Sequence, residues 1–368
     1  MELAKSRDFF LSREKNLTLS IVLLVGCYTA LLCPAYFPGQ PTIWREYSMQ
    51  HELVEVLQNR SNSLLSQVCR PGWSRLKLKE AYPGQLPPGV PVFLQRGEGG
   101  WSQAHSERFL PPLGLHGSEE QAARALQGLP QTSLSPELEG GGLCRRCVVL
   151  GSGGVLRGSR LGPHIDRHHV IMRLNSAPVS GFEDDVGYRT TVRLTYPEGA
   201  PHSARQYSNT SLLVMAMYKS SDLDWFTAVV AKQPLGWWTK LWFWQTVVES
   251  IPLHAENFRI LNPEIIRETA LGFLGYPKPQ QSLISLSQKV PTLGVTAVVM
   301  AIRLCDEVSL AGFGYDLKHP MTPLHYYGTL RMNAMGLQSV HDVGAEKMFL
   351  RSLVQAAAVN DLTGGVSW

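Results

Sequence analysis

From Cys144 onward the chain alternates between two hydrophobic patterns. Short apolar, largely β-branched runs (CVVLG, HVIMRLN, TTVRLTY, SLLVMAMY, FRILN and EVSLAGFGYD) are closed by Gly, Asn, Asp or Tyr and read as strands. Between and after them lie DLDWFTAVVAK, KLWFWQTVVESI, PEIIRETALGFLG, TLGVTAVVMAIRLC and AEKMFLRSLVQAAAV, where apolar residues recur at helical spacing. Strand and helix in alternation predict an α/β domain with a mostly parallel sheet covered by helices. Ligands of such sheets gather at the carboxyl ends of the strands. Residues 151–154, 175–177 and 312–316 each follow a predicted strand and are candidates for one shared cleft.

The first part of the chain reads differently. Residues 17–37, LTLSIVLLVGCYTALLCPAYF, carry no charge and match the ~20 residues a helix needs to cross a bilayer. Lys5, Arg7, Arg13 and Lys15 precede this run, so the positive-inside tendency leaves residues 1–16 cytosolic and the remainder luminal. A cleaved signal peptide is the competing reading; its apolar core would be overlong, and Pro34-Ala35-Tyr36 is a poor small-x-small cleavage site. The expectation is a single-pass type II anchor, a stem over residues 38–68 and a luminal domain over 69–368. Residues 38–142 are rich in Pro and Gly turns, interrupted by the amphipathic pieces HELVEVLQNR and EEQAARALQGL.

Composition narrows this picture only a little. Of 368 residues 44% are hydrophobic, enough for a sizeable core, and a net charge of +4 gives no sign of a nucleic-acid partner. Six cysteines matter more. Cys27 and Cys33 fall in the anchor, which leaves Cys69, Cys144, Cys147 and Cys305 on the oxidising side. Disulfides are the default there; zinc would need sulfurs gathered from distant segments, and a redox CxxC belongs at a helix start rather than before the strand VVLG. Asn59-Arg60-Ser61 and Asn209-Thr210-Ser211 are luminal sequons, whereas Asn16-Leu17-Thr18 abuts the cytosolic end of the anchor.

Several motifs compete for the chemistry. GSGGVLRG after the first strand is not G-x-G-x-x-G, and the next strand ends on Asn175 rather than an acid, against a dinucleotide site. A bare strand-to-helix turn also explains those glycines. Asp222-Leu-Asp224 resembles a metal-binding D-x-D but directly precedes a helical pattern and reads as a cap. Thr292 is placed as N-cap of an apolar helix, whose start is a ready phosphate site. His325 and His341 lie in polar loop motifs, where lone histidines are often ordinary core or surface imidazoles. In the aromatic run, Trp237, Leu241, Trp244 and Val248 share one helical face suited to core packing. Trp238 and Trp242 fall on a second face, exposed or set against something apolar such as a lipid.

Taken together, these segments resemble the vertebrate-type sialyltransferase family. CRRCVVLGSGGVL with IMRLNSAPVSGFEDDVGYRTTVRLTYPEGA looks like its large motif, PTLGVTAVVMAIRLCDEVSLAGFGYD its small motif, HYYG its third motif, and His341 with Glu346 its very small motif. The likeness runs from about Cys69 to the end and is strongest to the β-galactoside α-2,3 branch; residues 237–270 resemble the lactosylceramide sialyltransferases, which start ganglioside synthesis. The resemblance implies a glycosyltransferase-A-like α/β/α sandwich around a twisted seven-stranded sheet. It implies a Golgi type II membrane enzyme with no metal or other cofactor. Such an enzyme moves sialic acid with inversion from CMP-sialic acid to a galactose hydroxyl on lactosylceramide or, alternatively, on N-acetyllactosamine glycans of glycoproteins.

By resemblance the donor cleft comprises Ser152, Asn175, Ser176, Thr292, Gly294, Gly312, Gly314 and His325, and the pairs Cys147–Cys305 and Cys69–Cys144 are disulfides. Two positions depart from the family: Ser152 stands where many relatives have asparagine, and Gly328 where the third motif often ends in an acid. CMP-sialic acid carries one phosphate, so a helix start and an imidazole can offset the leaving charge. The remaining tasks, a base for the acceptor hydroxyl and a donor to the departing phosphate, suit His341 and His325 respectively. Glu346 is expected to stabilise a helix start rather than to orient the ring.

Overall fold

Seven parallel strands form one sheet in the order β5-β4-β3-β2-β1-β6-β7 in the computed structural model, which describes residues 51–95, 109–130, 138, 144–279, 289–316, 318–337 and 340–367. The strands are β1 (Arg146–Leu150), β2 (Val170–Leu174), β3 (Thr190–Thr195), β4 (Thr210–Met215), β5 (Phe258–Ile260), β6 (Glu307–Ala311) and β7 (Asn360–Asp361). Six of them coincide with the apolar runs read as strands. β7 is two polar residues on the sheet edge beside β6, too short to leave a pattern. The anchor expected over residues 17–37, the tail before it and Asn16 lie outside the described residues, among which no helix is long and apolar enough to cross a membrane.

Central strands buried on both faces need continuous apolar runs, and β2 and β3 are buried at every position. One face of the sheet, carrying Val149, Met172, Leu194 and Val214, packs on helices α2 (Trp73–Ala81), α5 (Pro263–Arg267), α6 (Leu293–Leu304) and α7 (Val343–Gln355). The other face meets α1 (His51–Ser66), through Leu57, and α3 (Glu119–Gln127) with α4 (Ser220–Val230), through Ala122, Trp225 and Phe226. The result is an α/β/α arrangement. α6 is apolar nearly all round and almost wholly buried, as a central helix must be. α1 occupies much of the span expected as stem, and its exposed face carries Asn59.

Two covalent ties brace this frame. Cys147 at the start of β1 is bonded to Cys305 at the C-cap of α6, and Cys69 to Cys144. The neighbours Cys144 and Cys147 are therefore not joined to each other, which removes the zinc and redox readings of the CxxC.

One helix expectation fails. Only Trp237–Lys240 of the aromatic run is helical; residues 241–251 follow turns and bends. A helix through Val248 would offer its carbonyl to residue 252, which is Pro252 and has no N–H. The Trp225 indole takes that carbonyl instead, at 2.7 Å. Val247 and Val248 turn inward, while Trp237, Leu241 and Trp244, expected in the core, are as exposed as Trp238 and Trp242. PEIIRETALGFLG is helical as expected but widens into a π-turn over Glu268–Phe273.

Candidate active site

The strand order reverses between β1 and β6: the chain runs outward from β1 to β5, then returns to lay β6 against β1's other side. Such a switch point opens a crevice at the strands' carboxyl ends. Gly151 follows β1 and Gly312 follows β6, and a Cβ on Gly151 would stand 2.3 Å from the Gly312 carbonyl oxygen. The two turns can approach this closely only without side chains. Gly312 also has φ of 73°, a left-handed backbone that favours glycine. The HYYG segment completes this wall: the Tyr326 N–H donates to Ser152 O, Gly154 N–H to Leu324 O, and His325 pairs across from Gly153.

Above these turns lies a cavity of about 660 Å³. Of the residues singled out in the sequence, Ser152, Asn175, Thr292, Gly294, Gly312 and Gly314 line it, as do His325 and His341. Ser176 does not; it is exposed beside Asn175 and outside the lining. Ser152 hydrogen-bonds the Tyr327 phenol, whose ring stacks on His325 with centroids 5.2 Å apart. Asn175 sits in the left-handed region at φ 48°, and its carbonyl accepts from the buried Arg193 guanidinium at 2.6 Å. Arg193 also reaches Ala177 O, so a side chain from β3 clamps the turn after β2; burial lowers the pKa of its guanidinium.

Thr292 caps α6 as expected, its hydroxyl oxygen accepting from Val295 N–H at 3.4 Å. Its own donors are already committed: both N–H and O–H are donated to Glu346 of α7, each at 2.6 Å. The helix start that Glu346 holds is thus that of α6 rather than its own. Burial pushes the Glu346 carboxyl up to about 7, against the two Thr292 hydrogen bonds that favour the charged form. What α6 offers the cavity is the first-turn amides of Leu293 and Gly294, which no carbonyl of their own helix can satisfy.

The histidines differ in setting. His341 Nδ1 lies 2.7 Å from the Val290 carbonyl, so that nitrogen carries the hydrogen and Nε2 keeps its lone pair. Asp342 then caps α7 by accepting from Ala345 N–H. His325 is half-buried, and that burial lowers its pKa from the ordinary value.

A second group of lining residues went unread in the sequence: Tyr196, Glu198, Tyr218 and Lys219. They follow β3 and β4, so the strand-end rule applied to β1, β2 and β6 would have found them. Lys219 Nζ bridges Glu198 at 2.7 Å and Asp222 at 2.8 Å and stands 4.6 Å over the Phe243 ring. Asp222 also accepts the N–H groups of Tyr218 and Lys219, which caps α4 from within its first turn. The D-x-D aspartate is therefore engaged by amides and an ammonium. Burial raises the pKa of Asp222 despite Lys219.

Residues 94–358 match Glycosyltransferase family 29 (sialyltransferase). The chain is 44% identical over 313 residues to a human lactosylceramide alpha-2,3-sialyltransferase, covering 85% of this chain and 74% of that one. It is 40% identical over 298 residues to a human CMP-N-acetylneuraminate-beta-1,4-galactoside alpha-2,3-sialyltransferase, covering 81% and 77%. A mammalian sialyltransferase crystal structure in complex with Gal-beta-1-3GalNAc-ortho-nitrophenol superposes with a TM-score of 0.56 at 25% identity, covering 80% of this chain and 98% of that one.

Proposed function

Because the chain belongs to glycosyltransferase family 29, the sialyltransferases, we propose that it transfers sialic acid from CMP-sialic acid, with inversion, to the 3-hydroxyl of a terminal β-galactose. Its acceptor in this reading is lactosylceramide, and the product a monosialoganglioside. The observation that carries the chemistry is the meeting of three features on one cavity. These are the first-turn amides of α6, the His325 ring and a His341 ring whose Nε2 is free to accept a proton.

In the reaction, the galactose 3-oxygen attacks C2 of sialic acid while His341 Nε2 takes its proton. The C2–O bond to the phosphate breaks, and CMP departs with the electron pair. The transition state is oxocarbenium-like because C2 is tertiary and beside a carboxylate. The amides of Leu293 and Gly294 and a hydrogen bond from His325 face the growing phosphate charge, where preorganised donors are most effective. A single phosphate makes no demand for a divalent ion in this scheme. We place the enzyme in the Golgi membrane as a type II protein, with its catalytic domain luminal and glycan on one or both of Asn59 and Asn209. Both asparagines are exposed.

The acceptor assignment draws on the 44% identity to a lactosylceramide enzyme against 40% to the β-1,4-galactoside enzyme. The deciding experiment incubates the protein with CMP-sialic acid and, in parallel, lactosylceramide, free N-acetyllactosamine and N-acetyllactosamine on a glycoprotein. Transfer to the glycolipid is expected to dominate. Preference for the protein-linked glycan would move the acceptor to glycoproteins, and CMP release without transfer would remove the transferase reading.

A further inference from the structure

Trp237, Trp238, Leu241, Trp242 and Trp244 are each between 62% and 72% exposed within eight residues of chain. Soluble surfaces seldom gather so much contiguous apolar area without a partner for it. The run is nevertheless fixed in place. The Phe243 ring lies under the Lys219 ammonium, Gln245 donates to the Glu198 carbonyl, and Lys240 pairs with Glu249. Lys219 and Glu198 line the cavity, and so does Trp244. Trp244 therefore stands on the cavity's rim, and the run that carries the other tryptophans is held beside it by the cavity's own wall residues.

We propose that residues 237–244 seat on the surface of the lipid bilayer that carries the acceptor, which brings the cavity mouth to a sugar headgroup projecting from that surface. This rests on the glycolipid reading of the acceptor. Residue type, covalent reach and position select the occupant. Tryptophan prefers the water–bilayer boundary, where an amphipathic ring finds both an apolar body and hydrogen-bond partners. Thirteen residues separate the uncharged run at 17–37 from α1, a covalent reach of at most about 50 Å. Trp244 makes the patch continuous with the reaction cavity, where a bilayer-bound galactose has to arrive.

The test uses the full chain reconstituted in phosphatidylcholine vesicles. One arm holds lactosylceramide in the vesicles; the other supplies water-soluble methyl lactoside to glycolipid-free vesicles. Trp238→Ser with Trp242→Ser should lower transfer to the glycolipid by about tenfold or more while the methyl lactoside rate stays within about twofold. Trp238→Tyr with Trp242→Tyr, which keeps interfacial rings, should restore most of the glycolipid rate. Brominated phosphatidylcholine should quench tryptophan fluorescence of the natural protein strongly and of the double serine variant weakly. Equal losses on both acceptors, or quenching unchanged by the serine substitutions, would overturn the bilayer contact. A natural protein that sialylates neither lactoside would overturn the proposed function instead, while the quenching comparison would still decide the surface.

Discussion

The carboxylate of Glu346 receives both the N–H and the O–H of Thr292, each at 2.6 Å, across the gap between α7 and the start of α6. This clasp joins the segment after His341 to the helix start that borders the cavity, and its Glu346 carboxylate is buried. Its proton balance has a thermal signature. In the folded chain the carboxyl is pushed up to about 7, above the ordinary 4.5 expected when unfolded. Between those values the unfolded chain loses a proton that the folded chain keeps, so the contribution of this group to stability falls as pH rises through the window. The full span amounts to at most ~3 kcal/mol. Glu346→Gln should flatten this part of the pH dependence of Tm, measured by calorimetry from pH 4.5 to 7.5. Glu346→Ala, which takes the partner from two part-buried donors, should cost roughly 1–3 kcal/mol and raise KM for CMP-sialic acid. A pH profile identical in the natural and glutamine forms would refute the clasp's titration.

The two histidines should fail differently. His341→Ala is expected to lower kcat by ~10²–10⁴-fold with CMP affinity nearly intact, the pattern of a lost general base. His325→Ala should weaken CMP binding and turnover together. Steady-state kinetics with CMP inhibition constants separate the two. Near-normal kcat in His341→Ala would end the base assignment. His325, with its pKa lowered by burial, is neutral near pH 7 before the donor arrives. Binding of the phosphate should draw its pKa upward, which NMR titration with and without CMP would register.

Loss of the Cys147–Cys305 bond should be costly. It closes a loop with a sequence separation of 158, and the chain-entropy relation puts the effect near 5 kcal/mol before native strain is subtracted. Cys147→Ser with Cys305→Ser should reduce Tm by many degrees and lower the yield of folded protein. Non-reducing peptide mapping of the natural protein should recover Cys69–Cys144 and Cys147–Cys305.

Arg193 offers a test of remote positioning. Its Nη1 donates to the Asn175 and Ala177 carbonyls while Nη2 reaches the Gln206 carbonyl, a spread of donors over two nitrogens that a lysine ammonium cannot reproduce. Arg193→Lys should therefore raise KM for the donor by about tenfold, the low end for one lost charged hydrogen bond, while leaving kcat nearly unchanged.

Chelation should do little. Asp222 accepts two backbone amides and pairs with Lys219, so it is committed to capping α4, while Asp224 faces Arg124. Initial rates with excess EDTA should match those without it. A rate that collapsed and returned with Mg²⁺ or Mn²⁺ would contradict the metal-free scheme.

How much of this was written in the chain can be traced residue by residue. Six strands were legible because buried strands favour short runs rich in apolar and β-branched residues, a local property. The cap at Thr292 and the helix behind it were legible for the same reason: neighbours within one turn dictate them. The failure at 241–251 shows the limit of periodicity. Trp and Leu spacing favoured a helix, but Pro252 denied Val248 its partner, and the Trp225 indole, far away in the chain, settled where that carbonyl went. Tertiary structure alone decided that Glu346 serves Thr292, that Arg193 from β3 holds the Asn175 turn, and that Lys219 carries the aromatic rim. Each of those links crosses between elements distant in sequence, and side-chain pairing over such distances follows from strand order and helix packing rather than from any local pattern. The sequence determined the parts and the chemistry available at strand ends; only packing determined which donors were already spent and which still face the cavity.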